Sequence, residues 1–231
     1  MSTANGVIRS GLPRVVEVSA AAAGLLLTAP LLDFIFAAVA LSSRGPVIFR
    51  QRRVGRYGGE FTLFKFRTMR QDAGGLGPQV TAKGDARITP VGKVLRKTKL
   101  DELPELWNIF RGDMSFVGPR PEVPHYVDAA DARWGLVLMA RPGLTDPVTL
   151  RLRNEEELLA GVGADRELFY REVLQPFKLD GYARYLRRRS WRTDLRTIWQ
   201  TFVAVLLPGS IAPPRLDELT SATGKEVTGA P

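Results

Sequence analysis

The run from Val18 to Ser43 contains 26 residues and one charge, Asp33. At about 1.5 Å per residue a straight helix of this length crosses a hydrocarbon core, so the pattern predicts a membrane segment. Basic residues follow it in place of a small-residue cleavage site, and the run reads as retained, unlike a removed signal peptide. Pro30 divides it into 12 residues before and 13 after, and each half is too short to span alone. Proline removes a helix hydrogen bond and bends the axis. Arg9 and Arg14 precede the run, and Arg44, Arg50, Arg52, Arg53 and Arg56 follow it. The positive-inside tendency keeps both flanks cytoplasmic. That favours a re-entrant helix broken at Pro30 over a kinked single span or a buried helix of a soluble domain. Asp33 must then be protonated, paired or near the headgroups, because a carboxylate at mid-membrane costs about 2.5 to 3.5 kcal/mol.

Beyond the apolar run, Val47–Phe49 and Phe61–Phe66 are β-branched and aromatic, with Gly55, Gly58 and Gly59 between them, which predicts a β-hairpin with a basic loop. Gln71–Asp85 is Gly-rich and polar and predicts a mobile surface loop. From Val91 to Phe110 the period is helical, with Leu103, Leu106, Trp107 and Phe110 on one face. Gly112, Gly118, Pro119, Pro121 and Pro124 then interrupt the chain, and Asn154–Ala160 and Asp165–Leu174 read as two further helices. In Tyr185–Leu207, Trp191, Leu195, Ile198, Trp199, Phe202 and Leu206 form an apolar stripe, and Arg187, Arg188, Arg189, Arg192 and Arg196 crowd its start. Such a basic amphipathic helix lies at a membrane interface, or else packs on the core with a solvated basic face. The elements together predict an α+β fold, mostly helical around a small hairpin.

Composition narrows the chemistry. The 231 residues are 45% hydrophobic, enough for a real core. Cysteine is absent and His125 is the only histidine, which excludes disulfides, thiolate chemistry and a multi-histidine metal site. His125, beside Tyr126, reads as a packed surface residue. The net charge is +9, from 26 arginines and 7 lysines against 24 acidic residues. This balance predicts phosphate-rich partners, and the arginine excess suits forked phosphate recognition, although genome base composition also favours Arg codons.

The densest motif runs from Arg96 to Trp107 and includes Lys97, Thr98, Lys99, Asp101, Glu102, Pro104 and Glu105. Thr98 with Asp101 has capping-box spacing, and Pro104 is tolerated in a first turn. Glu102 has no role in that reading. Adjacent carboxylates at a helix N-terminus, among cations, also suit a nucleophile or a metal ligand. Lys65 and Arg67 are two apart on a strand and share a face that could clasp a diphosphate. Arg120 stands between Pro119 and Pro121, and Arg151 and Arg153 precede the acidic run Glu155–Glu157. No Walker motif or dinucleotide fingerprint occurs.

Taken in order, five stretches resemble the small monotopic bacterial phosphoglycosyl transferases, which are polyprenyl-phosphate sugar-1-phosphate transferases. They are Gly45–Gln51, Lys65–Met69, Arg96–Trp107, Gly112–Pro121 and Arg141–Thr145. The resemblance implies transfer of a sugar phosphate from a nucleotide diphosphate sugar, usually a uridine one, to polyprenyl phosphate at the cytoplasmic face of the inner membrane. It implies Asp101 as nucleophile and metal ligand, Mg2+ as cofactor, and Glu102 as its assistant. Lys65, Arg67, Arg96, Arg120 and Arg153 would then surround the substrates, with Pro30 as the helix break. It also implies a tail over 1–13, a membrane helix over 14–44, a catalytic domain over 45–207 with interfacial helices, and a polar tail over 208–231. Nucleic acid is not an expected partner, and a homo-oligomer is compatible. Ala29 and Glu17 depart from the family's Ser and Asp. After Thr145 the sequence reads Asp146, Thr149, Arg151, Leu152 and Arg153, where the common form has Gly, Gln, Asn and Gly before the arginine, which suggests a different donor pocket. The rival reading is a basic membrane adaptor that binds anionic lipid or nucleic acid without catalysis.

Overall fold

The computed structural model describes residues 8–70, 85–128, 130–153, 155–161, 166–207, 209–215 and 218–219. Its first element, α1, is Arg14–Ser42, a helix of 29 residues rich in Ala and Leu, both strong helix formers. The helix continues through Pro30. The expected break at Pro30 is therefore not a break in the helix: a proline forfeits a single N–H, and the neighbouring turns carry the chain past it. Only Glu17, Ala21, Ile35 and Val39 are buried along α1. Each pair is spaced i, i+4, so one narrow face at each end packs inward, while Leu26, Leu27, Leu31 and Phe34 between them stay exposed.

Both ends of α1 are fastened to the same domain. At the N-terminal end Glu17 accepts hydrogen bonds from the Phe116 amide at 3.2 Å and the Ser115 hydroxyl at 3.4 Å. Ala21 packs there with Leu106, Ile109 and Met114. At the C-terminal end Ile35 and Val39 join Val47, Phe66 and Leu95. The buried Arg67 donates to the carbonyls of Val39, at 3.4 Å, and Ser43, at 2.6 Å, groups that a helix end leaves open, and to that of Pro46 beyond it.

The hairpin pairs β1 (Ile48–Val54) with β2 (Glu60–Phe66) in antiparallel register, Ile48 opposite Phe66 and Val54 opposite Glu60. Its turn holds Tyr57 at φ 59° and Gly58 at φ 78°. The expected single helical run over 91–110 is two helices, α2 (Pro90–Thr98) and α3 (Glu105–Arg111). Thr89, not Thr98, caps α2, its hydroxyl accepting from the Gly92 amide at 2.9 Å. Thr98 is inside the last turn and donates to the Val94 carbonyl, so it is no capping box for Asp101. The predicted common face also divides: Leu106 is buried with Ile109, while Trp107 and Phe110 stack at 5.4 Å on the outside.

A short parallel pair, β3 (Ser115–Val117) with β4 (Gly143–Thr145), was not apparent from the pattern. It needs glycine, because a Cβ on Gly143 would lie 2.1 Å from the Gly118 nitrogen. The remaining helices are α4 (Ala132–Val137), α5 (Pro147–Arg151), α6 (Glu155–Gly161), α7 (Arg166–Phe169), α8 (Gln175–Arg188) and α9 (Trp191–Leu206), with a π-helical turn, Tyr170–Leu174, joining α7 to α8. Trp134, Leu152, Leu159, Leu174, Phe177 and Tyr182 fill the core among them. The loop expected over Gln71–Asp85 lies, apart from Asp85, outside the described residues.

The segment Tyr185–Leu207 is divided at Arg189–Ser190, where Ser190 and Thr193 form the capping box that opens α9. α9 turns Asp194, Thr197 and Ala204 inward and leaves Trp191, Leu195, Trp199, Phe202 and Leu206 exposed. Asp194 is fully buried and paired with Arg189 at 3.0 Å. The small and polar face thus packs on the domain, and the apolar stripe faces outward.

Candidate active site

The site forms where β2 passes the junction of α2 and α3. Lys99, at φ 59°, ends α2 in a left-handed conformation and turns the chain into a single 3-10 turn, Leu100–Glu102. Pro104 then sets the start of α3. The two bends turn Asp101, Glu102 and Glu105 inward toward Lys65 on β2. Asp101 is 8% exposed and Glu105 1%.

Glu102 is the hub of the charge network. Its Oε1 accepts from Lys65 Nζ at 3.0 Å and from Arg120 Nη2 in a shorter contact, and Arg120 Nη1 also donates to the Leu144 carbonyl at 3.3 Å. Lys65 Nζ is 3.1 Å from Glu105 Oε1. The Asp101 Oδ1 is buried without a hydrogen-bond partner among the described residues.

Burial opposes the ionisation of all three carboxyls, but the cations are unevenly shared. On Glu102, Arg120, Lys65 and Lys99 outweigh burial and hold its pKa well below the usual carboxylate range. Asp101 is pushed above that range, first by burial and then by the charge of Glu102, with Lys65, Lys99 and Arg96 opposing. Glu105 is raised by burial in the same way, with Lys65 opposing. One firmly ionised carboxylate therefore lies between two that ionise less readily.

Of the residues singled out in the sequence, the structure brings Lys65, Asp101, Glu102 and Arg120 together. Arg96 is near enough to Asp101 to influence its charge, while its own nitrogens engage the Thr68 hydroxyl at 2.9 Å and Glu156 at 2.7 Å. Arg67 is elsewhere: it follows β2, is buried, and spends its donors on the end of α1, so it does not share a diphosphate clasp with Lys65. Arg153 makes no hydrogen bond or ion pair among the described residues, and its Nη1 is buried without a partner. The sequence pattern does not mark Glu105 out, because an acidic residue in a helix's first turn is ordinary; its place three after Glu102 is the available signal. Asp146 and Thr149, two of the departures after Thr145, form one device. Asp146 is buried and caps α5 by accepting from the Val148 and Thr149 amides at 2.7 and 2.8 Å.

Among the described residues no group of three His, Asp or Glu side chains could hold a metal ion by itself. Mg2+ commonly takes one or two carboxylates and completes its shell with water and substrate phosphates. Asp101 Oδ1 and Glu105 Oε2, which have no partner among the described residues, suit that donor set.

Comparison with known proteins gives this arrangement a context. Residues 8–208 match the family described as bacterial sugar transferase. The chain belongs to the bacterial sugar transferase family. Similar members of the family include the UDP-glucose:undecaprenyl-phosphate glucose-1-phosphate transferase of Caulobacter vibrioides, 46% identical over 145 residues, which are 60% of this chain and 53% of the relative. The UDP-N-acetylgalactosamine-undecaprenyl-phosphate N-acetylgalactosaminephosphotransferase of Aeromonas hydrophila is 40% identical over 57% of this chain and 32% of its own. The exopolysaccharide production protein ExoY of Rhizobium meliloti is 35% identical over 209 residues, 84% of this chain and 85% of its own. The chain thus spans about half the Caulobacter relative and about a third of the Aeromonas one. The family match takes in α1, the hairpin and the whole carboxylate cluster.

Proposed function

We propose that this chain transfers a sugar-1-phosphate from a nucleotide diphosphate sugar to polyprenyl phosphate through a covalent intermediate on Asp101. The observation that carries this reading is the Asp101 carboxylate, buried with Oδ1 unpartnered beside a neighbour that two cations hold ionised. A buried polar atom with no partner costs free energy, and such atoms gather where a substrate completes them. The names of the Caulobacter and Aeromonas relatives support a uridine nucleotide as donor and undecaprenyl phosphate as acceptor. A non-catalytic adaptor gains nothing from three carboxylates placed inside its basic patch.

In the first step an Asp101 oxygen attacks the β-phosphorus of the donor. The bond from that phosphorus to the bridging oxygen breaks, its electron pair leaves with the nucleoside monophosphate, and the sugar phosphate stays as an acyl phosphate on Asp101. In the second step an oxygen of the polyprenyl phosphate attacks the same phosphorus. The bond to Asp101 breaks, and polyprenyl-diphosphate sugar forms as the carboxylate returns. Glu102 holds Lys65 and Arg120 in place beside the nucleophile, and those cations with Arg96 offset the phosphate charge. Mg2+ would be held by Asp101 together with the donor's phosphate oxygens and would supply further charge neutralisation.

The catalytic domain, residues 45–207, sits on the cytoplasmic face of the inner membrane, with α1 and the exposed stripe of α9 in the lipid. Supporting this, Glu17 and Ser43 tie opposite ends of α1 to one domain, which favours both ends of the helix lying on the same side of the membrane. The reaction is tested by incubating the detergent-purified protein with polyprenyl phosphate, Mg2+ and a panel of uridine diphosphate sugars. Sustained monophosphate release with one sugar nucleotide, dependent on the lipid, is expected. Release with none of them, from protein shown to be folded, would contradict the proposal.

A further inference from the structure

A cavity of about 790 Å³ opens beside the N-terminal end of α1. Five guanidinium groups line it, those of Arg9, Arg14, Arg56, Arg141 and Arg189, against a single carboxylate, Glu17. Two of the cations are already matched: Arg189 pairs with the buried Asp194 at 3.0 Å and Arg14 with Glu17 at 3.3 Å. The other three are not. Arg56 Nε donates to the Met139 carbonyl at 2.8 Å, and Arg141 Nε to the Gly112 carbonyl at 3.2 Å. Their remaining nitrogens, and the side chain of Arg9, have no hydrogen bond or ion pair among the described residues.

The charges crowd one another. The pKa of Arg141 is lowered first by burial and then by Arg14 and Arg56, with Glu17 only partly compensating. Like charges gathered around a partly buried guanidinium are unfavourable until an anion joins them. The lining also carries exposed apolar side chains, Tyr57 at 72% and Met139 at 45%, with the Arg56 guanidinium 4.5 Å from the Tyr57 ring centroid. Arginines without a carboxylate partner beside exposed apolar side chains suit the layer where a bilayer presents its phosphates. Lys65, Asp101, Glu102 and Arg120 do not line this cavity.

We propose that the cavity binds the phosphate of an anionic phospholipid headgroup, with Arg56 and Arg141 donating to its oxygens. Two forked guanidiniums suit such a group. The site holds the domain at a set depth and orientation in the membrane, and is distinct from the one where the transferase chemistry is placed. The inference rests on α1 lying in lipid but not on the reaction, so either reading can fail without the other.

Native mass spectrometry of the detergent-purified protein, given an equimolar mixture of phosphatidylglycerol and phosphatidylcholine, reads the binding directly. Wild type is expected to retain phosphatidylglycerol in preference. Arg56→Gln and Arg141→Gln should each reduce that preference about tenfold, the loss of one charge-assisted hydrogen bond. Arg56 is exposed on the hairpin turn, so its variant tests the idea even if the Arg141 variant misfolds. Arg187→Gln, which removes the same charge from an exposed position outside the cavity, should leave the preference intact. An unchanged preference in the Arg56 variant, or an equal loss in the Arg187 variant, would overturn the proposal. Displacement by inorganic phosphate or polyprenyl phosphate more readily than by phosphatidylglycerol would overturn the headgroup assignment.

Discussion

Asp101 and Glu102 are adjacent in the chain, yet burial raises the pKa of one while neighbouring cations lower that of the other. The two substitutions that remove their charges therefore have opposite expected effects on stability. A carboxyl whose folded pKa lies above its unfolded value binds its proton more tightly in the native state, so its contribution to stability falls as pH rises through that interval. Asp101→Asn should accordingly raise the melting temperature at neutral pH, and the gain should fade as pH falls through the raised pKa toward the ordinary carboxylate range, below which it is gone. Glu102→Gln leaves Lys65 and Arg120 without their shared anion and should destabilise by about 3 kcal/mol, read from urea unfolding. On activity both act in one direction. Asp101→Asn should reduce turnover by about 10⁴-fold or more, and Glu102→Gln by about 10²-fold. In sequence the members of this cluster come together only through the family resemblance, because adjacent acidic residues in a first turn, a lysine on a strand and a proline-flanked arginine each have an ordinary reading taken singly. Glu105 and the diversion of Arg67 to the end of α1 were not legible, since both depend on contacts with elements distant in the chain.

At the scale of elements, length and apolar character identified α1, and alternation with clustered glycines identified the hairpin. The division between α2 and α3 was hidden because Lys99, which adopts the left-handed conformation, is not a residue that announces it. Pairing of β3 with β4 joins residues 28 apart, Ser115 with Gly143 and Val117 with Thr145, through three-residue strands too short to show a period. The start of α9 at Ser190 was not readable, because the apolar period continues back to Tyr185. The placement of α1 has a direct consequence. The protein contains no cysteine, so single cysteines at Ser10 and Arg44 can be labelled against a clean background. Both should react with a membrane-impermeant maleimide only from the cytoplasmic side, and labelling of either from the periplasm would establish a single span.

For the whole molecule, the proposed function gives the outward-facing apolar residues of α1 and α9 and the inward-facing carboxylate cluster one arrangement, in which a soluble donor would meet a lipid acceptor at the headgroup layer. A two-step route through Asp101 means that the donor reacts before the lipid arrives, and no step has to bring both phosphate substrates together at once. The most direct measurement is intact-mass spectrometry of the wild-type protein, rapidly quenched after mixing with its sugar nucleotide and Mg2+ in the absence of polyprenyl phosphate. A gain equal to one sugar phosphate is expected, with one equivalent of monophosphate released, absent in Asp101→Asn and discharged when polyprenyl phosphate is added. An unmodified mass at every quench time, with monophosphate appearing only once the lipid is present, would mean that the lipid phosphate attacks the donor directly and that Asp101 is not the nucleophile.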